Sequence, residues 1–103
     1  MGAMTLEEIL QDIHAMEEDL LTFERKYGVL TETFYQAYQR GEEPEDDAWV
    51  LDWGEWAGAY EILLQRQALY RQAIQTLLQQ KAIPSLSHLI GRTARREPLP
   101  VAI

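Results

Sequence analysis

Seventeen carboxylates, two histidines and no cysteine bound the chemistry open to this chain of 103 residues. Carboxylates paired across neighbouring helices can hold divalent metals, but only at matched spacing. The ferritin-like di-metal arrangement repeats a Glu-x-x-His step on inward faces. Here Gln11 stands three residues before His14 and Ser85 three before His88, so the pattern fails. Magnesium-holding steps of the Glu-x-x-Glu or Glu-x-x-Asp type have two near matches, Glu42 with Glu45, in a loop, and Asp52 with Glu55. Two histidines far apart, with no thiol, favour neither a transition-metal site nor a nucleophile triad. No Gly-x-x-x-x-Gly-Lys phosphate loop or Gly-x-Gly-x-x-Gly fingerprint occurs. The expectation is a protein that is not an enzyme and takes no metal or other cofactor.

Charge is more informative than chemistry. The net charge is −8, yet residues 1–61 hold 16 acids against three bases, while residues 62–103 hold six bases and one acid. Such polarity suits a partner surface of one sign, head-to-tail self-contact, or a helical protein solvating itself. Most of the aromatics lie in the acidic half, where a phosphate backbone is repelled. Arg92, Arg95 and Arg96 are too few to bind nucleic acid strongly by themselves, so direct nucleic-acid binding is not expected. No apolar run approaches the ~18–20 residues that span a bilayer. No signal peptide is visible, and the expected location is the cytoplasm. Met1-Gly2-Ala3 ahead of Met4 reads as a cloning scar.

The elements that must position these groups read as helices. Thr5 to Glu8 is a capping box. Leu6, Ile9, Ile13, Met16, Leu20, Phe23 and Tyr27 then recur at spacings of three and four, and Gly28 stops the helix. Thr31 is read as the N-cap of a short helix over 32–40, ended by Gly41. An acidic loop leads to a long helix over 47–80, read as capped at Asp47, whose stripe is Trp49, Trp53, Trp56, Tyr60, Leu63, Gln67, Tyr70, Ile74 and Leu77. Gly54 and Gly58 lie inside it, one turn apart. After Pro84, Ser85 or Ser87 can cap a last short turn through Ile90. The predicted fold class is all-α: a long antiparallel helical hairpin with a short intervening helix, completing a bundle by self-association or with a partner. The helical domain is placed at 4–80 and 81–103 is read as a basic, proline-containing tail, in which the stretch after Gly91 has no fold of its own.

At ~1.5 Å per residue the first helix spans ~34 Å and the last ~50 Å. An antiparallel pairing sets Trp49 near Tyr27 and Leu63 or Gln67 near Leu6. Tyr70, Ile74, Leu77 and Leu78 then overhang, and an uncovered apolar face of that kind marks an interface. If no other chain covers it, the segment from Ile83 must fold back, bringing Ile83, Leu86, Leu89 and Ile90 with it.

Residues 20–70 also carry a pattern of punctuation and aromatics: Tyr27-Gly28-Val29, Thr31 to Phe34, Gly41-Glu42, Asp46-Asp47, and Glu55-Trp56-Ala57-Gly58-Ala59-Tyr60. This arrangement resembles that of short, acidic, all-helical antitoxin-like proteins encoded beside TumE-type or related toxins. It departs from the pattern at Val29, where a methionine is usual, and in its longer, more basic tail. The resemblance implies toxin binding and neutralisation without catalysis. On that reading the partner-binding residues are Trp49, Trp53, Trp56, Tyr60, Tyr70, Ile74 and Leu77, and the partner is a cognate toxin. Against that, the stripe from Trp49 to Leu63 reads more readily as core, within the chain or a homodimer, than as partner surface. The alternative function is a structural homo-oligomer serving as scaffold or adaptor.

Overall fold

A computed structural model describes residues 4–101. In chain order the elements are β1 (Met4–Thr5), α1 (Leu6–Tyr27), α2 (Thr31–Gln39), a single 3-10 turn at Asp47–Trp49, α3 (Val50–Leu78), α4 (Leu86–Ala94) and β2 (Pro100–Val101). The fold is all-α, with α1 and α3 packed against each other as an antiparallel hairpin. Met1–Ala3, the expected scar, and the last two residues lie outside the described range.

Local chemistry sets most helix ends. The Thr5 hydroxyl accepts the Glu8 backbone N–H at 3.2 Å, while the Glu8 carboxylate accepts the Thr5 N–H at 3.0 Å. Gly28 and Gly41 both take positive φ, +80° and +86°, at the ends of α1 and α2, where an L side chain is disfavoured. Ser85 caps α4 by accepting the His88 N–H at 3.1 Å. Two ends differ from the sequence reading. Leu30 occupies the N-cap position of α2 and Thr31 is its first residue, because the Thr31 hydroxyl is engaged elsewhere. Asp46, not Asp47, caps the turn that leads into α3, accepting the Ala48 N–H at 2.9 Å.

The chain divides into two compact units. The unit His14–Leu64 holds the later turns of α1, all of α2 and the first half of α3. Trp56 lies at its centre, 1 % exposed. The Phe34 ring stacks on it at 3.9 Å, with Phe23 at 5.8 Å and Tyr27 at 5.6 Å. The expected approach of Trp49 to Tyr27 is present, edge to face at 5.7 Å.

The other unit takes in the residues up to Ile13 and those from Gln65 onward. Here the structure corrects the sequence reading. The expected short turn is a helix, α4, that runs past Ile90 to Ala94, and the stretch after Gly91 does have a fold: β2 pairs antiparallel with β1, Met4 opposite Val101 and Thr5 opposite Pro100. The Leu6 N–H donates to the Leu99 carbonyl at 3.0 Å and continues that pairing. Ile83, Leu89, Leu99 and Val101 are buried, whereas Leu86 and Ile90 stay exposed. Leu77 is 2 % exposed within the single chain, so no second chain is needed to cover it. The expected register also shifts. Leu6 and Leu10 line one groove with Tyr70 and Ile74, and Arg66 pairs with Asp12 at 2.9 Å. Leu6 therefore lies farther along α3 than Leu63 or Gln67, and the overhang is correspondingly short.

The basic residues of this unit are largely satisfied within it. Arg96 reaches Glu7 at 2.9 Å, and Arg95 and Arg92 both reach Glu97, at 3.0 and 3.4 Å. Arg95 first, then Arg92, hold the Glu97 carboxyl below its ordinary value, against partial burial.

Candidate protein-binding site

The unit His14–Leu64 carries thirteen acidic and three basic residues. Its charges are mostly left to solvent. Among the described residues Asp52 is the only one of those thirteen in an ion pair. The Lys26 ammonium and the Tyr27 phenol both donate to the same Asp52 oxygen, at 2.6 and 2.7 Å. These two donors hold the Asp52 carboxyl below its ordinary value, Lys26 contributing most. The same contacts raise Lys26, chiefly through the hydrogen bond to Asp52. Tyr27 is raised first by burial and then by Asp52. Glu55, three residues on, lines a groove instead. Asp52 and Glu55 thus have separate employment, and among the described residues no group of three His, Asp or Glu side chains stands close enough to hold a metal ion.

Two carboxylates organise the aromatic core from its edge. Glu24 accepts both the Thr31 N–H at 2.9 Å and the Thr31 hydroxyl at 2.8 Å. Glu61 accepts the Tyr35 hydroxyl at 2.8 Å, and this bond, followed by burial, raises the Tyr35 phenol. Tyr35 in turn stands edge to face with Tyr60 at 4.9 Å.

The expected partner-binding residues separate between the two units. Trp49, Trp53, Trp56 and Tyr60 belong to His14–Leu64, and Tyr70, Ile74 and Leu77 to the other. Trp56 and Leu77 are buried in the chain's own core, while the other five are half-buried. Trp56 and Leu77 therefore offer no surface to a partner. Trp53 stands edge-on to Phe34 at 5.2 Å, and its indole Nε1 is buried without a hydrogen-bond partner.

Two grooves were not legible in the stripes. One, of about 370 Å³, is lined by Leu6, Leu10, Tyr70, Ile74, Leu86 and Ile90 among others. It exists because α4 returns beside α3, a long-range event no local pattern announces. The second, of about 460 Å³, lies within His14–Leu64. Met16, Asp19 and Phe23 of α1 line it from one side and Glu55, Gly58 and Ile62 of α3 from the other. Its sequence signal was Gly58, since a glycine inside a helix leaves a notch.

No helix of the described residues is long and apolar enough to cross a membrane. Compared with protein-family models, with curated proteins and with solved structures, the chain matches none of them.

Proposed function

We propose that this chain is a non-catalytic binding protein of the cytoplasm whose acidic unit masks a cationic protein, as the antitoxin of a toxin–antitoxin pair masks its toxin. The observation that carries the reading is the charge of His14–Leu64, thirteen acids against three bases with one acid in an ion pair among the described residues. Self-repulsion of this kind opposes compaction, but it steers an oppositely charged protein and raises its association rate. The Tyr27-Gly28 stop, the Thr31 to Phe34 start and the Glu55-Trp56-Ala57 segment, which resemble the antitoxin-like pattern, support the same assignment. Binding by occlusion asks for no catalytic group, and the same negative surface disfavours a nucleic-acid partner.

Co-expression tests this. A small basic protein encoded beside this gene should arrest growth when expressed alone, and this chain should restore growth and co-purify with it. Arrest that the chain leaves unrelieved would sink the reading. The alternative, a homo-oligomeric scaffold, draws support from the groove edged by exposed Leu10, Leu86 and Ile90. Light scattering on the chain alone separates the two: a stable oligomer favours the scaffold.

A further inference from the structure

We propose that the groove between α1 and α3 in His14–Leu64 seats a cationic amphipathic helix of a partner protein. This rests on the reading of the acidic unit as a binder of cationic protein, and it names where such a protein docks.

The shape fits a helix. The lining positions 16, 19 and 23 of α1 and 55, 58 and 62 of α3 fall three or four residues apart, so each wall is a single helical stripe two turns long, ~10 Å. Helix-in-groove recognition places anchors at that same spacing. The floor is apolar, with Met16 and Phe23 half-buried and Ile62 exposed. Gly58 deepens it. A Cβ placed at Gly58 would meet nothing within 4 Å, so the chain itself makes no use of the space. Glycine inside a helix is unfavourable relative to alanine, and close approach of another backbone is a use that offsets this.

Charge selects the occupant. Asp19 and Glu55 stand on opposite walls, both are exposed, and neither takes part in an ion pair among the described residues. No basic residue lines the groove. A helix with a small or apolar stripe between rows of Lys or Arg matches floor and walls together, whereas an acidic helix would meet like charge on both sides.

The test uses the full chain and a fluorescein-labelled Lys/Leu/Ala peptide patterned as an amphipathic helix. Two control peptides accompany it, one with Glu in place of Lys, the other a scramble of the same composition. Anisotropy should show binding of the patterned cationic peptide and of neither control. Gly58→Gln should weaken binding by about tenfold or more with an unchanged or raised melting temperature. Gly54→Gln is the control on the same helix: its Cβ is equally unobstructed but the position does not line the groove, and binding should persist. Asp19→Asn combined with Glu55→Gln should weaken binding and flatten its salt dependence. Failure of the wild type to bind the peptide overturns the proposal. So does equal binding by Gly58→Gln, or equal binding of the scramble; either result would leave the acidic surface as a cation binder without this groove. Sedimentation showing a dimer that Gly58→Gln abolishes would assign the groove to a second copy and also overturn it.

Discussion

The indole N–H of Trp56 donates to the hydroxyl of Thr31 at 2.9 Å. That hydroxyl donates onward to Glu24 at 2.8 Å, so one small side chain joins α1, α2 and α3. Thr31 is 4 % exposed, and water cannot easily take its place. Thr31→Val keeps the shape while stranding a buried donor. It should cost about 1–3 kcal/mol, read from urea denaturation, and a change within the error of the fit would mean the relay does not hold these helices.

Two buried indole nitrogens make a contrast. Trp56 Nε1 has a partner, whereas Trp53 Nε1 has none. Replacing an unsatisfied donor by an apolar ring removes a desolvation penalty, and replacing a satisfied one leaves its acceptor bare. Trp53→Phe should therefore be neutral or stabilising, and Trp56→Phe destabilising by about 1–3 kcal/mol. Equal losses in thermal melts would contradict this.

Asp52 gives stability a pH dependence at both ends. Its folded carboxyl lies below the ordinary value, so it contributes stability above the unfolded carboxylate pKa and loses it as pH falls through the lowered folded value. Lys26 and Tyr27 are raised; their contribution is complete below their unfolded values and is lost as pH rises through the folded ones. The melting-temperature gap between wild type and Asp52→Asn should be widest near neutrality and close toward both extremes. A gap constant from acid to alkaline pH would show that Asp52 acts by shape alone.

Leu77 distinguishes a core residue from a contact residue. At 2 % exposure it has its neighbours within the chain, and Leu77→Glu buries a charge with no partner. The loss should reach about 4 kcal/mol or more, seen as a collapse of the urea midpoint. If the variant stays fully folded and only changes its association state, Leu77 faces another chain instead.

The same residue shows what the sequence disclosed and what it withheld. The Thr5–Glu8 box, the Gly28 and Gly41 stops and the Ser85 cap were legible because each is settled within a few residues. The α1 stripe was legible from period, and Leu6, Ile9, Ile13 and Leu20 are all buried. Leu77 reads as an overhang because the later segments that complete this unit, α4 and β2, carry no local signal of where they pack. The strand that closes this unit depends on Leu6 N–H meeting the Leu99 carbonyl, and Pro98 and Pro100 disguise that strand as a tail. Thr31 looked like a helix cap because its spacing suits one. Its hydroxyl had a better bargain in Glu24 and Trp56, which no local rule contains. Of the expected contact residues, Trp49, Trp53 and Trp56 were legible as one face of α3. Period alone does not say whether such a face looks inward, and here it packs on Tyr27 and Phe34.

Whether the acidic unit binds a cationic protein is decided by isothermal titration of this chain, at low and at high salt, with a small basic protein encoded beside its gene. Binding should be saturable at a fixed stoichiometry and weaken steeply as salt screens the carboxylates of His14–Leu64. A similar loss should follow when Glu17, Glu18 and Asp19 are changed together to their amides. No saturable heat at low salt, or binding indifferent both to salt and to that triple change, would contradict binding by the acidic unit.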